Sequence, residues 1–161
     1  TLKYLRSIKS PWSAETVEYA SFIGDIRIVS WCVSNGCQWN HSSLSAAATG
    51  GHLDIVKWLK RTSSKFVYPS YIATCAAFSG KDGCLDVIKW AKSSSNFSWT
   101  SNTYICALKG GNIDILDYIN ENGDPWNSLT VDFVYAYHTD TCKISDTTMG
   151  WIKDNCKIYK P

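Results

Sequence analysis

Seven cysteines and three histidines are the residues of this 161-residue chain best suited to metal, redox or nucleophilic chemistry, and their spacing decides what they do. Cys32, Cys37, Cys75, Cys84, Cys106, Cys142 and Cys156 contain no Cys-x-x-Cys pair, so neither a zinc ribbon nor a thioredoxin-like dithiol can be drawn. Cys32, Cys37, His41 and His52 include the right ligand types for zinc, but their spacing fits no common zinc motif. Scattered cysteines are usually small buried hydrophobes. A secreted domain with seven cysteines would suggest three bridges and a leftover thiol, yet no signal-peptide pattern is visible. The expectation is an intracellular, reduced protein; Asn40-His41-Ser42 and Asn96-Phe97-Ser98 are then chance glycosylation triplets.

Carboxylates offer the next chemistry. Asp54, Asp86 and Asp114 recur at one position, which the first turn of a helix explains through the macrodipole at about 0.3 to 1 kcal/mol each. Arg27 holds that position in the first copy, which weakens a catalytic reading. His41, His52 and His138 have no partner pattern with a Ser or Cys nucleophile. No G-x-S-x-G or H-E-x-x-H occurs, and Ser79-Gly80-Lys81-Asp82-Gly83 lacks the rest of a phosphate loop. No catalytic residue, metal or cofactor is therefore expected.

Sixteen Lys plus Arg against fourteen Asp plus Glu leave a net charge of +2, with 45% apolar and 19% charged residues and a pI near 8.1. That balance argues against a dedicated nucleic-acid or membrane-surface protein. Lys143, Lys153, Lys157 and Lys160 are offset by Asp140, Asp146 and Asp154, and no apolar run reaches membrane-spanning length.

Elements that could position any of these residues emerge from the eight tryptophans. Trp12 to Trp39, Trp31 to Trp58 and Trp99 to Trp126 are each 27 residues apart, so two interleaved Trp series share one period. Units run 12–38, 39–67, 68–98 and 99–125, after a partial unit 1–11 and before a degenerate one at 126–137. Unit three carries three extra residues near Gly80 to Cys84, expected as a surface loop. In unit two, Leu44, Ala47 and Ala48 share one helical face, and Leu53, Ile55, Val56 and Leu59 share another, with Trp58 extending the stripe. Gly50-Gly51 separates the two, as Gly24 and Gly110-Gly111 do elsewhere, and Asn40 to Ser43 and Thr100 to Asn102 supply N-caps. Helices of about ten residues do not persist alone in water, so stacking must hold them.

GGHLDIVKWL (50–59), GCLDVIKWA (83–91) and GGNIDILDYI (110–119) resemble the second-helix signature of ankyrin repeats, and LSAAATGGH resembles the segment before it. The Trp-rich G-C-x-W variant is similar to arrays abundant in giant viruses and some protists. The resemblance implies an all-α solenoid of stacked helix-turn-helix repeats over residues 1–137, its β-hairpin fingers reduced or absent because the unit is short. Residues 138–161 would then cap the last repeat, with Met149, Trp151 and Ile152 apolar. Trp12, Trp39, Trp99 and Trp126 fall where the family has a turn valine, and Trp31, Trp58 and Trp90 where it has a leucine. Periodic placement makes all seven expected core, wedged between units. His52 matches a structural histidine of the family; Cys75 and Cys106 match Ala46 and are expected as packing residues.

Function should then lie on the variable positions of the concave surface, as in the adaptors and scaffolds the resemblance implies. Phe22 and Ile23, Thr49 and Gly50, Phe78 and Ser79, and Lys109 and Gly110 map to the exposed end of the first helix. They are the candidate contacts for a protein partner of unknown identity. The alternative is a structural subunit of a larger assembly such as a viral particle, either end docking on a neighbour. The stripe Leu2, Tyr4, Leu5 and Ile8 has nothing before it, so further chain or a partner is expected to cover it. Localisation would be the host cytoplasm, or the virion.

Overall fold

The computed structural model describes residues 13–62, 68–123 and 144–155. Trp12, Trp126, units 1–11 and 126–137, segments 63–67, 138–143 and 156–161, and with them Lys143, Lys157 and Lys160, lie outside the described residues. The described chain is all-helical, without a strand: α1 Ala14–Ile23, α2 Ile26–Ser34, α3 His41–Gly50, α4 Leu53–Thr62, α5 Pro69–Ser79, α6 Cys84–Lys92, α7 Ser101–Gly110, α8 Ile113–Asn122 and α9 Asp146–Asn155. None of these helices is long and apolar enough to cross a membrane.

Local chemistry sets the helix limits. Asn40 Oδ1 accepts from the N–H groups of Ser42 (2.9 Å) and Ser43 (3.3 Å), while Ser43 Oγ accepts from Asn40 N–H, closing a capping box before α3. Thr100 caps α7 and Asp25 caps α2, each side chain accepting from first-turn N–H groups. The first helix of each unit stops at a glycine in the left-handed region: Gly24, Gly51, Gly80 and Gly111, with φ of 91°, 78°, 62° and 69°.

Helices alternate between two layers. α1, α3, α5 and α7 lie side by side, and α2, α4, α6 and α8 line up behind them. Ala20, Ala47, Ala76 and Ala107 occupy one position of the first-layer helices, all buried, and their small side chains let neighbouring helices approach closely. Between the layers sit Val17, Val29, Leu44, Ile55, Val56, Leu59, Ile72, Val87, Ile88, Ile115, Leu116 and Ile119, each at most 1% exposed. Burying each such side chain contributes about 1.5 to 3 kcal/mol.

Consecutive units are tied through the open carbonyls at the ends of first-layer helices. His52 Nε2 lies 3.1 Å from the Phe22 carbonyl. A carbonyl only accepts, so this contact requires the Nε2–H tautomer. Cys84, at the equivalent place in unit three, donates its S–H to the carbonyls of Ala48 (3.6 Å) and Thr49 (3.8 Å). Asn112, its counterpart in unit four, donates from Nδ2 to the Gly80 carbonyl at 2.8 Å. Each satisfies a carbonyl that the end of a helix leaves unpaired.

The tryptophans sit differently from expectation. Trp31, Trp39, Trp58, Trp90 and Trp99 are half-buried and packed against the core rather than enclosed by it. Aliphatic and alanine side chains fill the interior, and the rings close its margins. Trp99 shows how: Nε1 donates to the Asn122 carbonyl at 2.9 Å, and Phe97 meets the ring edge-on at 4.8 Å. Among the described residues, Trp151 in α9 is the buried indole, 7% exposed, with Nε1 donating to Asp117 Oδ1 at 2.7 Å. Ile152 beside it is fully buried and Met149 is half-buried.

The three inserted residues, Lys81, Asp82 and Gly83, form an exposed surface loop after Gly80, whereas Cys84 is buried and opens α6. The loop packs backbone to backbone on unit two: a Cβ on Gly51 would collide with the Asp82 carbonyl and lie 3.1 Å from Cys84 N. Gly36 shares the positive φ (89°) but would place its Cβ in open space. Both Gly→Ala changes carry the left-handed strain of about 1 to 2 kcal/mol. Gly51→Ala is expected to lower stability by about 1 to 3 kcal/mol more than Gly36→Ala, through the added collision. Urea unfolding midpoints of the two variants measure the difference.

Candidate interaction surface

The face of the first-layer helices turned away from the second layer carries the exposed large apolar side chains. Tyr19, Phe22 and Ile23 stand on α1, and Tyr71 and Phe78 on α5, with exposures from 42% for Phe22 to 73% for Ile23. Tyr71, Cys75 and Phe78 are spaced i, i+4, i+7, which stacks them along one side of α5. Tyr19 precedes Phe22 by three residues and lies over the same side of α1.

A shallow groove of about 290 Å³ runs between α1 and α3, lined by Glu18, Tyr19, Phe22, Ser42, Ser45, Ala46 and Thr49. Phe22 and Thr49, both expected on this face, are brought together there. Ile23 is outside that lining at the tip of α1. Phe78 is exposed and Ser79 half-buried at the end of α5, and Lys109 is exposed at the end of α7. Gly50 and Gly110 serve packing instead: a Cβ on Gly50 would lie 2.7 Å from the Phe22 carbonyl, and one on Gly110 would collide with the Ala77 carbonyl.

Two features of the face were not expected. Lys81, from the inserted loop of unit three, reaches over unit two and places Nζ 4.3 Å from the centre of the Phe22 ring. This cation–π contact covers one side of an aromatic that sequence position alone offers to solvent. Tyr19 and Tyr71 widen the apolar area toward the middle of the helices. The helical spacing from Phe22 and Phe78 could have found them.

Cys75 and Cys106, expected as packing residues, are half-buried on this same face. Burial raises both thiols; Tyr71 lowers Cys75 through a side-chain hydrogen bond, and Cys75 in turn raises the Tyr71 phenol. No group of three His, Cys, Asp or Glu among the described residues could hold a metal ion. His52, one member of the zinc set drawn from sequence, is engaged with the Phe22 carbonyl.

Compared with protein-family models, curated proteins and solved structures, the chain matches none.

The Cys32 thiol is pushed up to about 11 by burial and then by the neighbouring Cys37 thiol. The thiolate is the reactive form, so Cys32 is held in its inert state at neutral pH. The native protein is expected to leave Cys32 unmodified by iodoacetamide at about pH 8, and the urea-unfolded protein to modify it. Peptide mapping by mass spectrometry distinguishes the two. The folded-state value lies above the ordinary 9.0, so the folded form holds this proton more tightly. Cys32 stabilises the fold fully below about pH 9, and that contribution is lost as pH rises toward about 11.

Proposed function

We propose that this chain is a non-catalytic protein–protein interaction module, an intracellular array of ankyrin-like repeats that seats a protein partner on the outer face of α1, α3, α5 and α7. The supporting observation is the set of exposed aromatics Tyr19, Phe22, Tyr71 and Phe78 gathered on one face of two first-layer helices. Aromatic side chains bring large contact area at low entropic cost and are enriched among binding anchors. Alternating layers of short helices, tied unit to unit at equivalent residues, support the solenoid reading, and their rigid stacking would hold those anchors at fixed spacing. The half-covered Phe22 ring and the α1–α3 groove beside it form one end of the surface, and Phe78 and Lys109 extend it.

Replacing Ile23, Tyr71 and Phe78 together with Ser is expected to leave the helical circular dichroism unchanged, since all three are exposed. The same variant is expected to lose the proteins that the unaltered chain retains in affinity capture with mass-spectrometric identification. Retention of the same set at the same yield overturns the proposal.

A further inference from the structure

On the opposite side of the molecule, Lys57, Lys60 and Arg61 of α4 and Lys89 and Lys92 of α6 form a patch of five cations on adjacent helices. All are exposed except Lys92, which is half-buried. We propose that this patch is a second binding surface, separate from the first-layer face, and that it takes an acidic peptide segment.

Internal chemistry does not use up these charges. Among the described residues the one ion pair is Arg27 with Asp25, at 3.0 Å, so no cation of the patch is ion-paired with a carboxylate of the described residues. The helix dipole accounts for basic residues in a last turn, but Lys57 lies earlier in α4, and α2 and α8 end with no basic residue. The charge is therefore peculiar to units two and three. At the positions of Lys57 and Lys89, α2 has Ser30 and α8 has Asp117; at those of Lys60 and Lys92, they have Val33 and Asn120.

Aromatic rings hold part of the patch in place. Lys60 Nζ sits 4.9 Å from the centre of the Trp90 ring, and Lys89 and Lys92 sit 5.6 Å and 5.8 Å from that of Tyr118. Lys92 Nζ also donates to Asn122 Oδ1 at 2.9 Å. A cation resting on a ring has fewer rotamers to give up when a carboxylate arrives.

The shape of the patch selects the ligand. Packed helices lie about 8 to 10 Å apart, and cations one turn apart on a helix are about 5 to 6 Å apart. An extended peptide rises about 3.3 Å per residue, so carboxylates three residues apart span neighbouring helices. A nucleic acid would need a cationic track that continues along its backbone and open rings for its bases. Here the track ends at Asp117 and Glu121 of α8, and the Trp90 and Tyr118 rings carry lysines.

The test is fluorescence anisotropy of the full chain with a labelled oligoglutamate of about eight residues, alongside an oligothymidylate of equal charge. Saturable oligoglutamate binding is expected, weakening with ionic strength. K57E/R61E/K89E is expected to weaken it at least about tenfold. The neutral K57Q/R61Q/K89Q, with circular dichroism on both triple variants, separates loss of charge from loss of fold and is expected to give an intermediate affinity. Absence of saturable oligoglutamate binding, or affinity unaffected by the charge reversal in a folded protein, overturns the proposal. So does oligothymidylate binding of equal or greater strength with the same sensitivity to K57E/R61E/K89E, which would assign the patch to nucleic acid.

Discussion

A helix of ten residues leaves four carbonyls unpaired at its C-terminal end, and the architecture of this chain is organised around where those carbonyls go. Glycine at the end of each first-layer helix turns the backbone and satisfies some of them from within the unit. His52, Cys84 and Asn112 then satisfy others from the unit that follows. Three different side chains perform one task at one place, because the requirement is only a donor of suitable reach. Local helix termination and the joining of units are thus a single interaction. The buried alanine row brings the helix ends within that reach, and the aliphatic layer behind it supplies the bulk of the burial.

Much of this was legible in the amino-acid order. The 27-residue spacing, the glycine stops and the Asn40 and Thr100 caps depend on local chemistry, and the helices form where those signals place them. The role of the tryptophans was not legible, since periodicity states that a residue faces its neighbours without stating how much space they leave. Alanines such as Ala47 and Ala76 and the aliphatic side chains fill the interior, and the rings take the margin. On the outer face of the first layer, Phe22, Thr49 and Phe78 follow from their place at the helix ends. Tyr19 and Tyr71 lie one and two turns earlier, where helical spacing rather than repeat position marks them. Lys81 over Phe22 was beyond reach, because that contact skips a whole unit and depends on the path of a loop.

The two layers give the molecule two surfaces of different character. First-layer helices present tyrosine and phenylalanine beside small polar side chains; second-layer helices of units two and three present lysine and arginine against half-buried rings. A net charge of +2 conceals this division, since acidic residues on α1, at the starts of second-layer helices and on α8 offset the lysines and arginines in the sum. Average composition therefore says little about how either surface meets a partner.

The contact of Lys81 with Phe22 bears on how such a chain can change over generations. An array whose contacts run only to the next unit can gain or lose a unit by unequal recombination, and the junction left behind resembles every other junction. Here the loop of unit three lies on Gly51 of unit two and reaches the aromatic of unit one, so the three are matched as a set. Deleting unit two would remove the floor beneath the loop, and duplicating it would carry Lys81 one unit too far from its ring. Units one to three are in this sense matched as a single block.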